Sequence, residues 1–144
     1  MLLLDANPLL YALRVDVPEH KAWARWLEAL LNGDELYSAC SATLTAVVRI
    51  ATSKRVFKTP TPLDDVLTFI DGVRDAPGFV LLEPGPQHWT VMERLCRAVG
   101  VTANLASDAY LAALALEADA ELITADRDFA RFPRLRCRHP LIGR

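Results

Sequence analysis

The chain has 144 residues and a formal net charge of −2, and 52% of its residues are hydrophobic. A chain of this length fits one domain and buries about two thirds of the surface that its unfolded form exposes, so it needs no disulfide framework. The three cysteines, Cys40, Cys96 and Cys137, are odd in number and widely spaced, which argues against a disulfide set or a zinc ribbon. No apolar run approaches the ~18 residues of a membrane-spanning helix, and no basic segment precedes the first apolar run. We therefore expect a cytoplasmic protein that does not enter a membrane.

Positive charge is concentrated toward the end of the chain. Residues 127–144 contain six arginines and one acid, Asp128, which gives this segment a charge of +5 and leaves −7 for the remainder. Such a separation is typical of a protein that binds a polyanion locally. The alternative is a solvated arginine-rich segment without a ligand.

The apolar pattern predicts alternating strands and helices. Short, continuous apolar runs predict buried strands at 1–5, 35–40, 79–83 and 120–126. The pair Asn7-Pro8 predicts the start of one helix, with Pro8 in its first turn. Apolar residues at helical spacing predict further helices over 18–31, 63–74, 87–98 and 104–118. Residues 42–52 suit a strand or a helix by composition, and we favour a helix because no turn signal separates them from the basic residues that follow. This order predicts a single domain over 1–144 with an α/β fold and a mostly parallel sheet.

Three aspartates are predicted where catalytic groups collect in such a sheet. Asp5 and Asp126 end two predicted strands, and ligand sites lie outside the carboxyl ends of parallel strands. Asp108 lies at the start of the apolar helix 104–118. Buried carboxylates that repel one another are costly to ionise unless a cation lies among them, and oxygen ligands without histidine or thiolate favour Mg²⁺ or Mn²⁺ over zinc. The sequence therefore predicts a divalent metal site.

Each of these acids also has a purely structural interpretation. Asp5 would cap the helix that follows it, Asp108 would favour a helix N-terminus through the helix dipole, and Asp126 would be an ordinary turn aspartate. The three interpretations are weaker jointly than singly. Three acids at strand ends or helix starts of one sheet form the arrangement that a metal site needs.

Three polar residues close to these acids are candidates for supporting them. Asn7 either points its amide into the site or caps a helix, and Thr124 either offers its hydroxyl or is simply a β-branched strand residue. Asp128 is a metal ligand, a group that orients the ligands, or a cap for the turn that follows it. We favour the orienting role for Asp128.

Several segments resemble PIN-domain ribonucleases of the VapC toxin type. They are LLLDANPLLYAL near the N-terminus, RIATSKRVF at 49–57, SDAYLAALALEADAELITADRDFARF at 107–132, and HPL near the end. The match covers most of the chain, and its most specific element is the spacing from D-A-x-L-A-A-L-A to T-x-D-x-D-F. The resemblance implies a three-layer PIN-like fold and a Mg²⁺-dependent endoribonuclease, with Mn²⁺ as a substitute. It also implies the toxin of a type II toxin–antitoxin pair, held by a cognate antitoxin protein and usually homodimeric.

The resemblance also assigns residues to the site. Asp5 matches the first acid of the family, Asp108 the penultimate acid and Asp126 the last. The family commonly has a further glutamate three residues before an arginine; the arginine is Arg49 here, and the position of the glutamate is occupied by Ala46. Three explanations remain open: three acids and water suffice, Asp128 compensates, or the metal is held weakly.

Basic residues would guide the RNA backbone toward this acidic site, and the candidates are Arg127, Arg131, Arg49, Lys54 and Arg55. For those near Lys54 the alternative is a solvated helix end.

Two rival functions are kept. The first is a degenerate PIN-like module that binds RNA or antitoxin without cleaving, which Ala46 favours. The second is a phosphohydrolase with Asp5 as nucleophile, and Asn7 argues against it because that reaction favours a second aspartate there.

Overall fold

The structure is a computed structural model in which residues 1–142 are described. Its strands are β1 (Leu2–Leu4), β2 (Tyr37–Ser38), β3 (Glu121–Ile123) and β4 (Cys137–Arg138). Its helices are α1 (Ala6–Leu13), α2 (His20–Leu31), α3 (Ser41–Ala51), α4 (Leu63–Asp75), α5 (His88–Val99) and α6 (Leu105–Glu117), and a 3₁₀ helix spans Arg127–Arg131. Arg144, which belongs to the basic segment of the sequence, lies outside the described residues.

The strands form one parallel sheet in the order β2-β1-β3-β4. The central pair, β1 and β3, is in register from Leu2 opposite Glu121 to Leu4 opposite Ile123. Both strands therefore end at the same edge of the sheet, and the residues that follow them emerge side by side. The predicted α/β fold with a parallel sheet flanked by helices is confirmed.

Helices cover both faces of the sheet. Leu2, Leu4 and Ile123 pack into one apolar cluster with α1, α2, α3 and α4, whereas Leu3 and Leu122 pack into a second cluster with α5 and α6. Side chains alternate between the faces of a strand, so a strand that is buried on both faces must be apolar at every position. The uninterrupted leucines of β1 follow from this three-layer arrangement.

The predicted strand at 79–83 is wrong. Only Phe79 pairs with the sheet, through an isolated bridge to Tyr37. Beyond it the chain leaves the sheet, and the Glu83 carboxylate accepts hydrogen bonds from the backbone N–H and the hydroxyl of Ser41, both at 2.6 Å. Leu81 in this segment is 68% exposed. The segment therefore caps the start of α3 instead of forming a strand.

The edge strand β4 was not predicted from the sequence. It has two residues, and the arginines around it give no apolar pattern. The ambiguous segment 42–52 forms the helix α3, as favoured. The cysteines Cys40, Cys96 and Cys137 are free thiols. Within residues 1–142, none of the helices combines the length and the apolar character needed to cross a membrane.

Candidate active site

Asp5 directly follows β1 and begins α1. Its backbone N–H donates to the carbonyl of Ile123 at 3.0 Å, which extends the pairing of β1 with β3 by one residue. Its Oδ1 accepts a hydrogen bond of 2.7 Å from the N–H of Ala6, so the side chain caps α1. The capping interpretation is thus correct, and it occupies one carboxylate oxygen while the other points toward β3.

Thr124 joins the ends of β1 and β3. Its Oγ1 donates to Oδ2 of Asp5 at 2.7 Å and accepts from the backbone N–H of Asp126 at 3.0 Å. The residue is buried, with 4% of its surface exposed. Asn7 makes a second link across the same strand ends, because its Oδ1 accepts from the N–H of Ala125 at 3.1 Å. Thr124 therefore holds the carboxylate of Asp5 and the backbone of Asp126 in place, and Asn7 holds the backbone of Ala125.

Three carboxylates come close together beside Asp5. Oxygens of Asp108, Asp126 and Asp128 all lie within 4.8 Å of one another. Asp126 begins the 3₁₀ helix, and its Oδ1 accepts the N–H of Asp128 at 2.8 Å, which turns Asp128 back toward it. Asp128 thus lies within the acidic cluster, and Asp5 lies beside this group of three.

Burial and neighbouring carboxylates raise the pKa values of Asp108 and Asp5. Burial, followed by the charges of Asp126, Asp5 and Asp128, raises the pKa of Asp108 to about 6. Burial also raises the pKa of Asp5; the hydrogen bonds from Thr124 and Ala6 oppose this rise, and the charge of Asp126 adds to it. Both shifts follow from partial removal from water and from the like charge of neighbouring carboxylates.

A cleft of about 540 Å³ opens in front of Asp5 and Asp108. Its walls come from α3, with Ala46 and Arg49, and from α6, with Asp108 and Tyr110. Ala46 therefore faces the same space as the acids, so the departure from the family pattern falls inside the site. Tyr110 was not anticipated from the sequence, although its position two residues after Asp108 in the matched motif was a signal.

The predicted basic residues occupy three places. Arg49 lines the cleft, Arg127 lines a second cleft of about 360 Å³ together with Asp126, and Arg131, Lys54 and Arg55 are exposed. Among residues 1–142, none of these five cations has an ion pair or a side-chain hydrogen bond in the structure.

Four arginines of the basic segment divide into two sets. Arg136 pairs with Asp119 at 2.8 Å and Arg138 pairs with Glu121 at 3.3 Å, so both are used within the fold. Arg127 and Arg131 are left for solvent or a ligand. Counting charges along the sequence does not separate these two sets.

The donor set fits a hard divalent cation. It consists of carboxylate oxygens, which Mg²⁺ and Mn²⁺ prefer, and within the described part of the chain no histidine or thiolate joins the group. The mutual repulsion that raises the pKa of Asp108 is the interaction that a bound cation would reverse. The residues present are thus suited to a metal on chemical grounds.

Comparisons with known proteins show which family the chain resembles. The family model described as PIN domain matches residues 2–135. The Mycobacterium tuberculosis protein named Ribonuclease VapC43 is 43% identical over 143 residues, which cover 99% of this chain and 97% of that protein. Ribonuclease VapC25 from the same organism is 34% identical over 142 residues, which cover 99% of this chain and 100% of that protein. A crystal structure of VapBC2 from Rickettsia felis, bound to a DNA fragment from their promoter, superposes with a TM-score of 0.68 at 17% identity, over 94% of this chain and 96% of that one. The chain therefore belongs to the PIN-domain family, among the VapC ribonucleases.

Proposed function

We propose that this protein is a metal-dependent endoribonuclease that acts as the toxin of a type II toxin–antitoxin pair, with residues 1–144 forming one PIN-like domain. The observation that carries the proposal is the cluster of Asp108, Asp126 and Asp128 beside Asp5, at the carboxyl edge of two parallel strands. The 43% identity to a protein named as a ribonuclease supports the same reaction class.

The proposed cofactor is Mg²⁺, for which Mn²⁺ substitutes. Asp5, Asp108 and Asp126 would hold it, with Asp128 either completing the ligands or orienting Asp126. When bound, such an ion supplies charge neutralisation, polarises a phosphodiester and lowers the pKa of water. Thr124 keeps the Asp5 carboxylate aimed at β3 through its 2.7 Å hydrogen bond. A partner that orients a metal ligand in this way commonly accounts for about 10- to 100-fold in metal affinity.

RNA would reach the acids along their basic surroundings. Arg49 lies in the cleft itself, and Arg127 lies in the second cleft beside Asp126. Arg131, Lys54 and Arg55 offer further exposed cations for the phosphate backbone. Contacts of this kind set affinity and salt dependence, whereas the choice of RNA sequence depends on contacts to the bases.

The proposal also includes the partners of the protein, which are an antitoxin, a second copy of the chain and RNA. A toxin of this kind is held by a cognate antitoxin protein, and the similarity of fold to VapC in a VapBC2 structure supports such a partner. We also propose a homodimer that acts in the cytoplasm on an RNA substrate.

The test uses purified protein freed of antitoxin, incubated with RNA and either Mg²⁺ or Mn²⁺. Cleavage is expected with both ions and none after chelation. Asp5→Asn and Asp108→Asn should abolish cleavage and growth inhibition on expression, whereas Asp65→Asn on the exposed surface of α4 should retain both. Toxicity equal to wild type in both site variants would contradict the metal site.

A non-cleaving module is the second candidate, and Ala46 in the cleft wall is the observation that favours it. Under this alternative, the protein binds RNA or its antitoxin but leaves RNA intact with either ion. RNA binding without cleavage by the wild type would therefore select this candidate over the enzyme.

A further inference from the structure

Arg14 is a buried arginine whose guanidinium makes four hydrogen bonds. It follows α1, and 6% of its surface is exposed. Nε and Nη2 donate to the two carboxylate oxygens of Asp16 at 3.0 and 2.5 Å. Nη1 donates to the carbonyl of Thr59 at 2.7 Å and to Oγ1 of Thr61 at 3.2 Å. The Cζ atom lies 3.8 Å from the centroid of the Phe57 ring.

The partners Phe57, Thr59 and Thr61 all belong to one segment, residues 52–62, which joins α3 to α4. This connecting segment has no helix or strand of its own apart from turns. It carries three exposed cations, Lys54, Arg55 and Lys58. Its own backbone hydrogen bonds are local turns and three bonds to carbonyls near the end of α3, of which the one from Thr61 to Ala51 spans the segment. The contacts of Arg14 therefore add the side-chain bonds that hold Phe57, Thr59 and Thr61 against α1.

The connecting segment continues directly from the wall of the cleft. Arg49 lines the cleft on the last turns of α3, and Lys54 and Arg55 follow five and six residues later. Within the described residues, Lys54, Arg55 and Lys58 have no ion pair. Fixed unpaired cations that lead away from an acidic site attract a polyanion.

From this arrangement we propose that Arg14 is a positioning residue for RNA: it holds the connecting segment so that Lys54, Arg55 and Lys58 contact the phosphates of a strand that enters the cleft. The inference rests on the proposed ribonuclease function and adds to it a residue that touches neither metal nor substrate. An arginine suits this task because its planar fork binds a carboxylate in a bidentate manner, contacts backbone and hydroxyl oxygens, and stacks on an aromatic ring at the same time. A lysine provides one point charge and cannot make all of these contacts.

The experiment compares the Michaelis parameters and the salt dependence of RNA binding in Arg14→Gln and in the triple variant Lys54→Gln, Arg55→Gln, Lys58→Gln. We expect KM to rise about tenfold in each, with kcat little changed because the acids are untouched. In the triple variant, the slope of log K against log salt should fall by about 2, since each contact to a single strand contributes about 0.7. The slope should fall in the same direction in Arg14→Gln.

Combining the two changes separates positioning from a general loss of stability. In the triple background, Arg14→Gln should raise KM no further, because the cations that it positions are gone. Trypsin should cut the connecting segment faster in Arg14→Gln than in wild type. Asp16→Asn is a milder second variant, since the Asp16 side chain is 56% exposed, and it should raise KM in the same direction. Arg97→Gln, which breaks an exposed pair with Glu93, is the matched control and should leave KM unchanged.

Three results would overturn the inference. The first is an unchanged KM and salt slope in both Arg14→Gln and Asp16→Asn while the wild type cleaves RNA. The second is an equal further rise of KM when Arg14→Gln is added to the triple variant. The third is an effect on antitoxin binding alone, which would assign the surface to a protein partner. Failure of the wild type to bind or cleave RNA is distinct from these, because it refutes the proposed function itself.

Discussion

Replacing Asp108 by asparagine should make the metal-free protein more stable near neutral pH while abolishing its activity. The carboxylate of Asp108 is half-buried and accepts no hydrogen bond from the described residues, and Asp126, Asp5 and Asp128 surround it with like charge. Together, burial and repulsion raise its pKa from 3.8 to about 6. An uncharged amide of the same shape removes the repulsion without emptying the site.

The sign of the effect follows from proton binding. The folded protein binds the proton of Asp108 more tightly than the unfolded chain, so between about pH 4 and pH 6 the folded state loses stability as the carboxyl ionises. A shift of this size corresponds to about 3 kcal/mol for a fully buried group. Because Asp108 is partly solvated, screening reduces the expected gain of the asparagine variant to about 1 kcal/mol at pH 7.5. For a chain of this size that is a rise in Tm of about 3 °C.

The assay is urea or thermal unfolding of wild type and Asp108→Asn in chelator, at several pH values from 3.5 to 8. The two proteins should have equal free energies of unfolding near pH 3.5. At higher pH the variant should become the more stable of the two, and the difference should reach a plateau once Asp108 of the wild type is ionised. Added Mg²⁺ should stabilise the wild type by mass action and the variant much less. A variant that is less stable than wild type at pH 7.5, or a stability difference that does not change with pH, would show that the Asp108 charge does not destabilise the folded state. Asp65→Asn is the control for an exposed acid.

Further predictions concern the ligands and the basic surface. Thr124→Val, which removes the hydrogen bond to Asp5, should weaken Mn²⁺ binding by about tenfold or more in a titration, whereas Thr124→Ser should retain it. Ala46→Glu adds a carboxylate to the cleft wall and should tighten Mn²⁺ binding; unchanged affinity would mean that the position is dispensable. Arg127→Gln should reduce RNA affinity and the salt slope, while Arg136→Gln, whose side chain pairs within the fold, should change neither.

The sequence predicted the parts of the fold that depend on buried periodic patterns. The all-leucine strand β1 is apolar at each position because helices cover both of its faces. Residues 79–82 are apolar as well, but Glu83 ends the segment and binds the start of α3, and Pro84 and Pro86 have no N–H to extend a ladder. Composition alone does not show that a short apolar run packs outside the sheet instead of forming a strand.

The candidate site was predictable to the extent that topology determines it. Residues that follow parallel neighbouring strands must emerge together, which is why Asp5 and Asp126 could be paired from the sequence. The position of Asp128 depends on a 3₁₀ turn stabilised by the Asp126 carboxylate, a local hydrogen bond that a residue pattern does not specify. The same applies to Arg136 and Arg138, because their acids lie 17 residues away in sequence.

Asp5 and Asp108 have different surroundings, which bears on the proposed metal site and on the alanine at position 46. Both oxygens of Asp5 accept hydrogen bonds, which offset part of the rise in its pKa, whereas Asp108 has burial and repulsion without such compensation. A cation at this site would relieve a repulsion at Asp108 that no hydrogen bond from the described residues offsets. A glutamate at position 46 would share the cleft with Asp108 and add to this repulsion when the metal is absent. Compared with a glutamate, Ala46 avoids this added repulsion and offers no carboxylate, so we predict that Ala46→Glu binds Mn²⁺ more tightly and unfolds more easily in chelator.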